Sequence, residues 1–283
     1  MNLIGHFTIK KEDGPDPEFM GWVKENFATS EKESGVRFEV TSKSENAAEF
    51  ASRVVRSCVR RPLTFWRIEY SKEEIENAKL LMLYSSVYIA EMDHPPTVEK
   101  IHLARTKHLK SPRPFGSFRP FSDVVGVKQP LKERLEKLSF KGIEWVELHA
   151  KKPKPEDLPI WRIYSSVELP PSPIPLKNSY GEPFDGDLEK GCHYEKRFRE
   201  VELAYDADAI ARMGEFDFAV TREWIGNYPG GCFQHLVVSQ RFRRALGSEK
   251  VKGASYTPVR ILEPGEPPVR DPLELLASGG RIG

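Results

Sequence analysis

Cysteine is scarce: Cys58, Cys192 and Cys232 are the only three in 283 residues, far apart and without a CxxC pair. A disulfide framework and a zinc ribbon are thereby excluded, and three free thiols are expected. Long apolar runs are missing too. No stretch approaches the roughly eighteen apolar residues that a membrane helix needs, and the opening MNLIGHFTIKKEDG has no basic start followed by an apolar run. A cytoplasmic protein with no membrane association is expected. An excess of one charge is also lacking, since 43 basic residues face 42 acidic ones for a net +1, and this gives no general pull toward nucleic acid. The phosphate-loop, dinucleotide-binding, nucleophile-elbow, kinase and HExxH patterns do not occur. No catalytic residue, cofactor or metal is assigned.

What is present reads as a globular chain, 39% hydrophobic and 30% charged, long enough for one large domain or two smaller ones. Proline and glycine clusters at 93–97, 111–120, 152–159, 170–175 and 263–268 predict loops. Residues 1–100 read as an α+β region. Ala48, Phe50, Ala51, Val54, Val55 and Cys58 form a helical stripe over 47–59, and Leu63 to Tyr70 a strand. Ser71-Lys-Glu-Glu74 is a capping box that starts a helix. The apolar residues Ile75, Ala78 and Leu80 to Leu83 continue it at helical spacing, ahead of a β-branched strand at 86–91. Residues 263–283 read as a frayed or lightly docked tail.

Two segments match at a fixed offset of 111, the spacing from Gly142 to Gly253. Val125 to Leu148 aligns with Leu236 to Val259 without a gap, bringing Val127 onto Val238, Gln129 onto Gln240, Leu135 onto Leu246 and Trp145 onto Tyr256. Just upstream, Leu103 to Lys107 aligns with Phe218 to Arg222 if four residues are inserted. Each segment predicts a short apolar strand and a helix carrying Leu131, Leu135 and Leu138 or Phe242 and Leu246. Pro130 suits the first turn of one helix, and Ser239 the N-cap of the other. A Lys-Gly turn and a second strand follow. The fold class is therefore α+β, with internally duplicated strand-helix-strand units in mixed sheets (101–175 and 176–262) after the N-terminal region.

Few side chains offer chemistry. Cys192 and His193 are adjacent, so in an extended segment they point to opposite faces and do not share a ligand. Asp206, Asp208, Glu215 and Asp217 form an acidic stretch with Arg222 and Trp224 just beyond, the candidate surface for a partner. Two basic clusters, one with Arg56, Arg60 and Arg61 and one with Arg113 and Arg119, are the candidates for nucleic acid, with Phe115 and Phe118 beside the second for stacking. Balanced overall charge makes that the less favoured reading.

The segment Phe233-Gln-His-Leu-Val-Val-Ser-Gln-Arg-Phe, with Val251-Lys-Gly-Ala-Ser-Tyr-Thr-Pro-Val259 and the preceding Phe216-Asp-Phe-Ala-Val220, resembles bacterial toxin-immunity proteins. The similarity is to the immunity protein eleven family, once a domain of unknown function, and to its double-CXXCG relatives. It covers roughly residues 100–262 and is best from Glu215 to Ile261. The resemblance implies a non-catalytic protein that binds and neutralises a cognate toxin. The cysteine pairs of the double-CXXCG relatives are absent here, so no metal is carried over.

Overall fold

The computed structural model describes residues 1–10, 16–32, 35–56, 65–92, 102–105, 113–119, 121–150, 159–174, 194–195, 203–223, 225–227, 231–268 and 272–278. The first part of the chain holds β1 (Asn2–Lys10), α1 (Pro17–Asn26), β2 (Thr29–Lys32), β3 (Gly35–Thr41), α2 (Ala47–Arg56), β4 (Phe65–Glu69) and α3 (Lys72–Asn77). The middle holds β5 (Leu80–Ser85), β6 (Tyr88–Met92), β7 (His102–Arg105), β8 (Phe115–Arg119), β9 (Phe121–Lys128), α4 (Gln129–Glu136), β10 (Glu144–Ala150) and β11 (Ile160–Tyr164). The remainder holds β12 (Tyr194–Glu195), β13 (Ala204–Asp206), α5 (Ala207–Arg212), β14 (Phe218–Val220), β15 (Ile225–Asn227), β16 (Gly231–Phe233), β17 (Leu236–Ser239), α6 (Gln240–Ser248), β18 (Ala254–Leu262) and α7 (Pro272–Ala277). The fold is α+β with mixed and antiparallel sheets.

The chain divides into two compact units, with the cut between Glu74 and Ile75 rather than near residue 100. The first unit is a four-stranded sheet, β2-β3-β1-β4, under α1, α2 and α7. Val36, Phe38 and Val40 alternate inward along β3, the period of two that a half-buried strand requires. Phe7, Phe38 and Phe50 pack edge to face or stacked, with ring centres 4.6–5.7 Å apart. Leu276 of α7 is fully buried in this core and Leu275 nearly so. The C-terminal helix is thus docked and not frayed, because its two adjacent leucines have an apolar site to fill.

The capping box forms as expected: the Glu74 amide donates to the Ser71 hydroxyl and the Ser71 amide to the Glu74 carboxylate. The helix it starts is shorter than its apolar spacing predicts. It ends at Asn77, and Leu80 to Leu83 belong to β5. Tertiary pairing decides this, since β5 lies between β17 and β18 and buries Leu81 and Leu83 completely.

The second unit holds a closed six-stranded barrel, β10-β11-β9-β8-β6-β7, a five-stranded sheet, β13-β18-β5-β17-β14, and a small sheet of β12, β15 and β16. One apolar cluster runs through barrel and sheet, uniting Leu81, Leu83, Phe115, Val125, Val127 and Ile163 with Phe218, Val238, Phe242 and Leu246. A second cluster, Ile89, Ala90, Phe118, Val124, Leu148 and Ile160, comes from five of the six barrel strands and fills its interior. Gly126 is required there: a Cβ on it would lie 2.4 Å from the Phe118 ring.

The two aligned segments both form a strand, a helix and a strand, and both Lys-Gly glycines adopt positive φ (83° and 94°). In each, the flanking strands run parallel with one antiparallel strand between them. That middle strand is β11 for β9 and β10, and β5 for β17 and β18. The registers correspond pair for pair. Val127 faces Trp161 as Val238 faces Leu81, and Trp145 faces Ile163 as Tyr256 faces Leu83. Cation–π contacts sit in matching places, with Lys132 over Trp145 and Trp161 and Arg243 over Tyr256.

Both middle strands run out into Tyr-Ser-Ser-Val, at 84–87 and 164–167, a match that the offset of 111 misses because it lies at an offset of 80. The buried hydroxyls of Ser85 and Ser165 each accept from the amide two residues on, at 3.1 Å, and donate to a carbonyl, of Gly253 and Phe218 respectively. A duplication is not confirmed in the form expected, since neither strand-helix-strand segment is self-contained. The upstream alignment is also corrected. β7 pairs with β6 and β10, whereas β14 pairs with β17. The strand in the place of β14 is β8, with Phe115 opposite Val127 as Phe218 is opposite Val238.

Candidate functional site

The acidic stretch is divided by the fold. Asp206 ends β13 and precedes α5, while Asp217 precedes β14, and these strands form opposite edges of the five-stranded sheet. Four strand steps of about 4.8 Å put them roughly 19 Å apart. Asp208 lies in the first turn of α5 with Asp206, whose side chain makes no capping bond. Trp224 lies outside the described residues. Arg222 is exposed and 4.0 Å from Glu168.

Asp217, expected to face a partner, is instead 6% exposed. Its carboxylate accepts from the Lys141 amide at 3.0 Å, the Ser239 hydroxyl at 2.7 Å and the Arg241 guanidinium at 2.7 Å. It ties the Lys-Gly turn after α4 to the first turn of α6. Asp217→Asn should therefore lose about 2 kcal/mol of stability in urea unfolding, because a buried charge-assisted acceptor is replaced by a group that is partly a donor. A loss under about 0.5 kcal/mol would contradict that role.

Around this anchor lies a charged seam between α4 and α6. Glu215 is 88% exposed and 2.7 Å from Lys141, whose ammonium holds the Glu215 carboxyl below the ordinary carboxylate range. Arg241 spans the seam, bonding Asp217 and the Leu138 carbonyl while stacking over Phe140 at 4.8 Å. Arg134 of α4 pairs with Glu249 beyond α6. Leu138, which ends the α4 segment, is 41% exposed, one of two large hydrophobic residues so placed among those described. Leu138 was expected on the helix's apolar stripe. The tight turn that follows, with Ser139 at φ 49°, turns it outward instead.

Lys141, Arg134 and Arg241 were not singled out from the sequence. The signal for Arg241 was the Ser239 N-cap, which places the third residue of that turn beside whatever the cap binds. A second knot was also missed: buried Glu223 accepts from the Ser172 amide and the Tyr205 hydroxyl, and Thr221 links it to the His235 amide. These groups are spent on one another.

Of the arginine candidates, only Arg113 and Arg119 can be compared, and they stand apart. Arg113 and Arg119 are exposed at the two ends of β8, roughly 20 Å apart along an extended strand. Arg56 ends α2 in the other unit, and Arg60 and Arg61, like Cys192 and His193, lie outside the described residues. Among the described residues no cluster of histidine, cysteine and carboxylates could hold a metal ion, and no helix is long and apolar enough to cross a membrane. No known protein family, curated protein or solved structure matches the chain.

Proposed function

We propose that this is a non-catalytic binding protein that acts in the cytoplasm as an immunity protein, capping a cognate bacterial toxin. The supporting observation is the seam itself: Leu138 is exposed, its carbonyl is held by Arg241, and the same seam carries the ion pairs Arg134–Glu249 and Lys141–Glu215. An apolar centre with arginines and a charged rim is the make-up of a protein-binding surface, where the rim steers encounter and the centre holds. Buried Asp217 fixes one member of that rim, Arg241, before a partner arrives, which lowers the ordering cost of binding at that residue. The sequence resemblance supplies the class of partner.

Co-expression with toxins encoded by neighbouring genes tests this reading. Protection of the host, with co-purification of a toxin, is the expected result. Leu138→Glu should weaken capture about tenfold or more without changing the unfolding midpoint. No protection by the wild type, or full protection by Leu138→Glu, would rule out the seam as the toxin-binding face.

A further inference from the structure

The interior face of the barrel carries a cation with no hydrogen-bond acceptor among the described residues. Arg162 of β11 is paired with Val146 on one side and Gly126 on the other. Val146 packs against the interior cluster and Gly126 lies against Phe118, so the Arg162 side chain leaves the sheet on the interior face. With the Phe118 ring filling the space beyond Gly126, the guanidinium leans toward the rim, its central carbon 5.0 Å from the centre of the Tyr164 ring. Among the described residues it has no carboxylate, carbonyl or hydroxyl acceptor. Glu144, which pairs with Tyr164 at the rim, is engaged by the Ser166 amide. Burial pushes the Arg162 guanidinium down to about 10, with Tyr164 opposing, so the protein holds this charge at a cost.

The matching registers give an internal comparison. In the five-stranded sheet the place of Arg162 is taken by Met82, flanked by Val237 and Thr257 where the barrel has Gly126 and Val146. The architecture is therefore satisfied by an unbranched apolar residue at this position. A second cation, Lys128, pairs with Ile160 on the same interior face; the diagonal from it to Arg162 spans about 7–8 Å.

We propose that Arg162 is an oxyanion-binding residue at the mouth of the barrel, taking a carboxylate or phosphate group as its acceptor. The planar fork presents parallel N–H donors, which two oxygens of one such group accept together. The flat face of Tyr164 restricts the fork to one orientation.

Calorimetric titration of the full-length protein with inorganic phosphate, and separately with glutarate, at ionic strength held constant with chloride, tests the site. Saturable binding with a Kd of about 1 mM is expected for one or both, ordinary for a few-atom ligand on one charge-assisted pair. Which one binds tells whether phosphate or carboxylate is preferred. Arg162→Met, borrowed from the matching position, should weaken binding tenfold or more and raise the unfolding temperature. Modification of arginines by phenylglyoxal, mapped by peptide mass, reads the same site in the unaltered protein, with the bound anion slowing reaction at Arg162 several-fold. Binding of neither anion, equal binding by Arg162→Met, or no slowing at Arg162 would each overturn the proposal.

Discussion

Phe242→Ala is expected to cost roughly 3–5 kcal/mol of stability, the range for removing a fully buried aromatic side chain. Phe242 has no exposed surface and projects from the first turn of α6. It meets Phe218 edge to face at 4.4 Å and Phe140 at 5.3 Å, and Phe140 in turn meets Phe218 at 5.9 Å. These three rings come from the helix, the edge strand of the sheet and the turn after α4. Removing one opens a void where barrel and sheet share a core. The neighbouring strands β5, β9 and β17 are each paired on both sides and resist collapse into the gap, so the cost should sit high in its range. Chemical denaturation of the full chain measures it. Leu138→Ala, at an exposed position two residues before Phe140, should stay within about 0.5 kcal/mol. A Phe242→Ala loss under about 1 kcal/mol would mean that the three rings do not hold barrel and sheet together.

Gly142→Val should cost a comparable amount, about 3 kcal/mol or more, through a different cause. At φ 83° a residue with a Cβ already costs about 1–2 kcal/mol. The added carbon would also lie 2.4 Å from the Phe218 carbonyl oxygen and 3.2 Å from a Val167 methyl. The first is backbone, held by hydrogen bonds from the Ser165 hydroxyl and the pairing of β14, and it cannot swing aside. Overpacking of that kind adds about 1–3 kcal/mol. Gly265 separates the two contributions. It too has positive φ, 87°, but open space around its Cβ position, so Gly265→Ala should cost only about 1 kcal/mol. Equal losses at the two sites, measured by thermal unfolding, would show that the contact with Phe218 is not the controlling one.

These two predictions rest on features that differ in how far the sequence exposes them. The helical spacing of Phe242 and Leu246 after a serine is local information, because an N-cap and an apolar stripe act within one or two turns. The same holds for the Ser71–Glu74 capping box, and a Lys-Gly pair between a helix and a strand marks a turn in which glycine takes positive φ without a Cβ penalty. The α+β class followed from those signals and from the alternation in strands such as β3.

The acid groups were not readable in this way. Asp217 and Glu215 are two residues apart, yet one is enclosed by Lys141, Ser239 and Arg241 and the other stands in solvent. What separates them is which element arrives from elsewhere in the chain. Arg162 and Met82 make the same point, because only their pairing partners reveal that one cation lies where an apolar side chain suffices.

Local hydrogen bonding and side-chain spacing thus determined from the sequence alone the capping box that starts α3, the N-cap and apolar stripe of α6, and the Lys-Gly turns. Tertiary structure decided the rest. It placed β5 between β17 and β18 and β11 between β9 and β10, turned Leu80 to Leu83 from helix to strand, docked α7, and chose which charges are buried. The physical reason is that a strand's backbone donors and acceptors are satisfied by another strand, which here lies more than a hundred residues away for β5. A short apolar run carries no record of which partner it will meet.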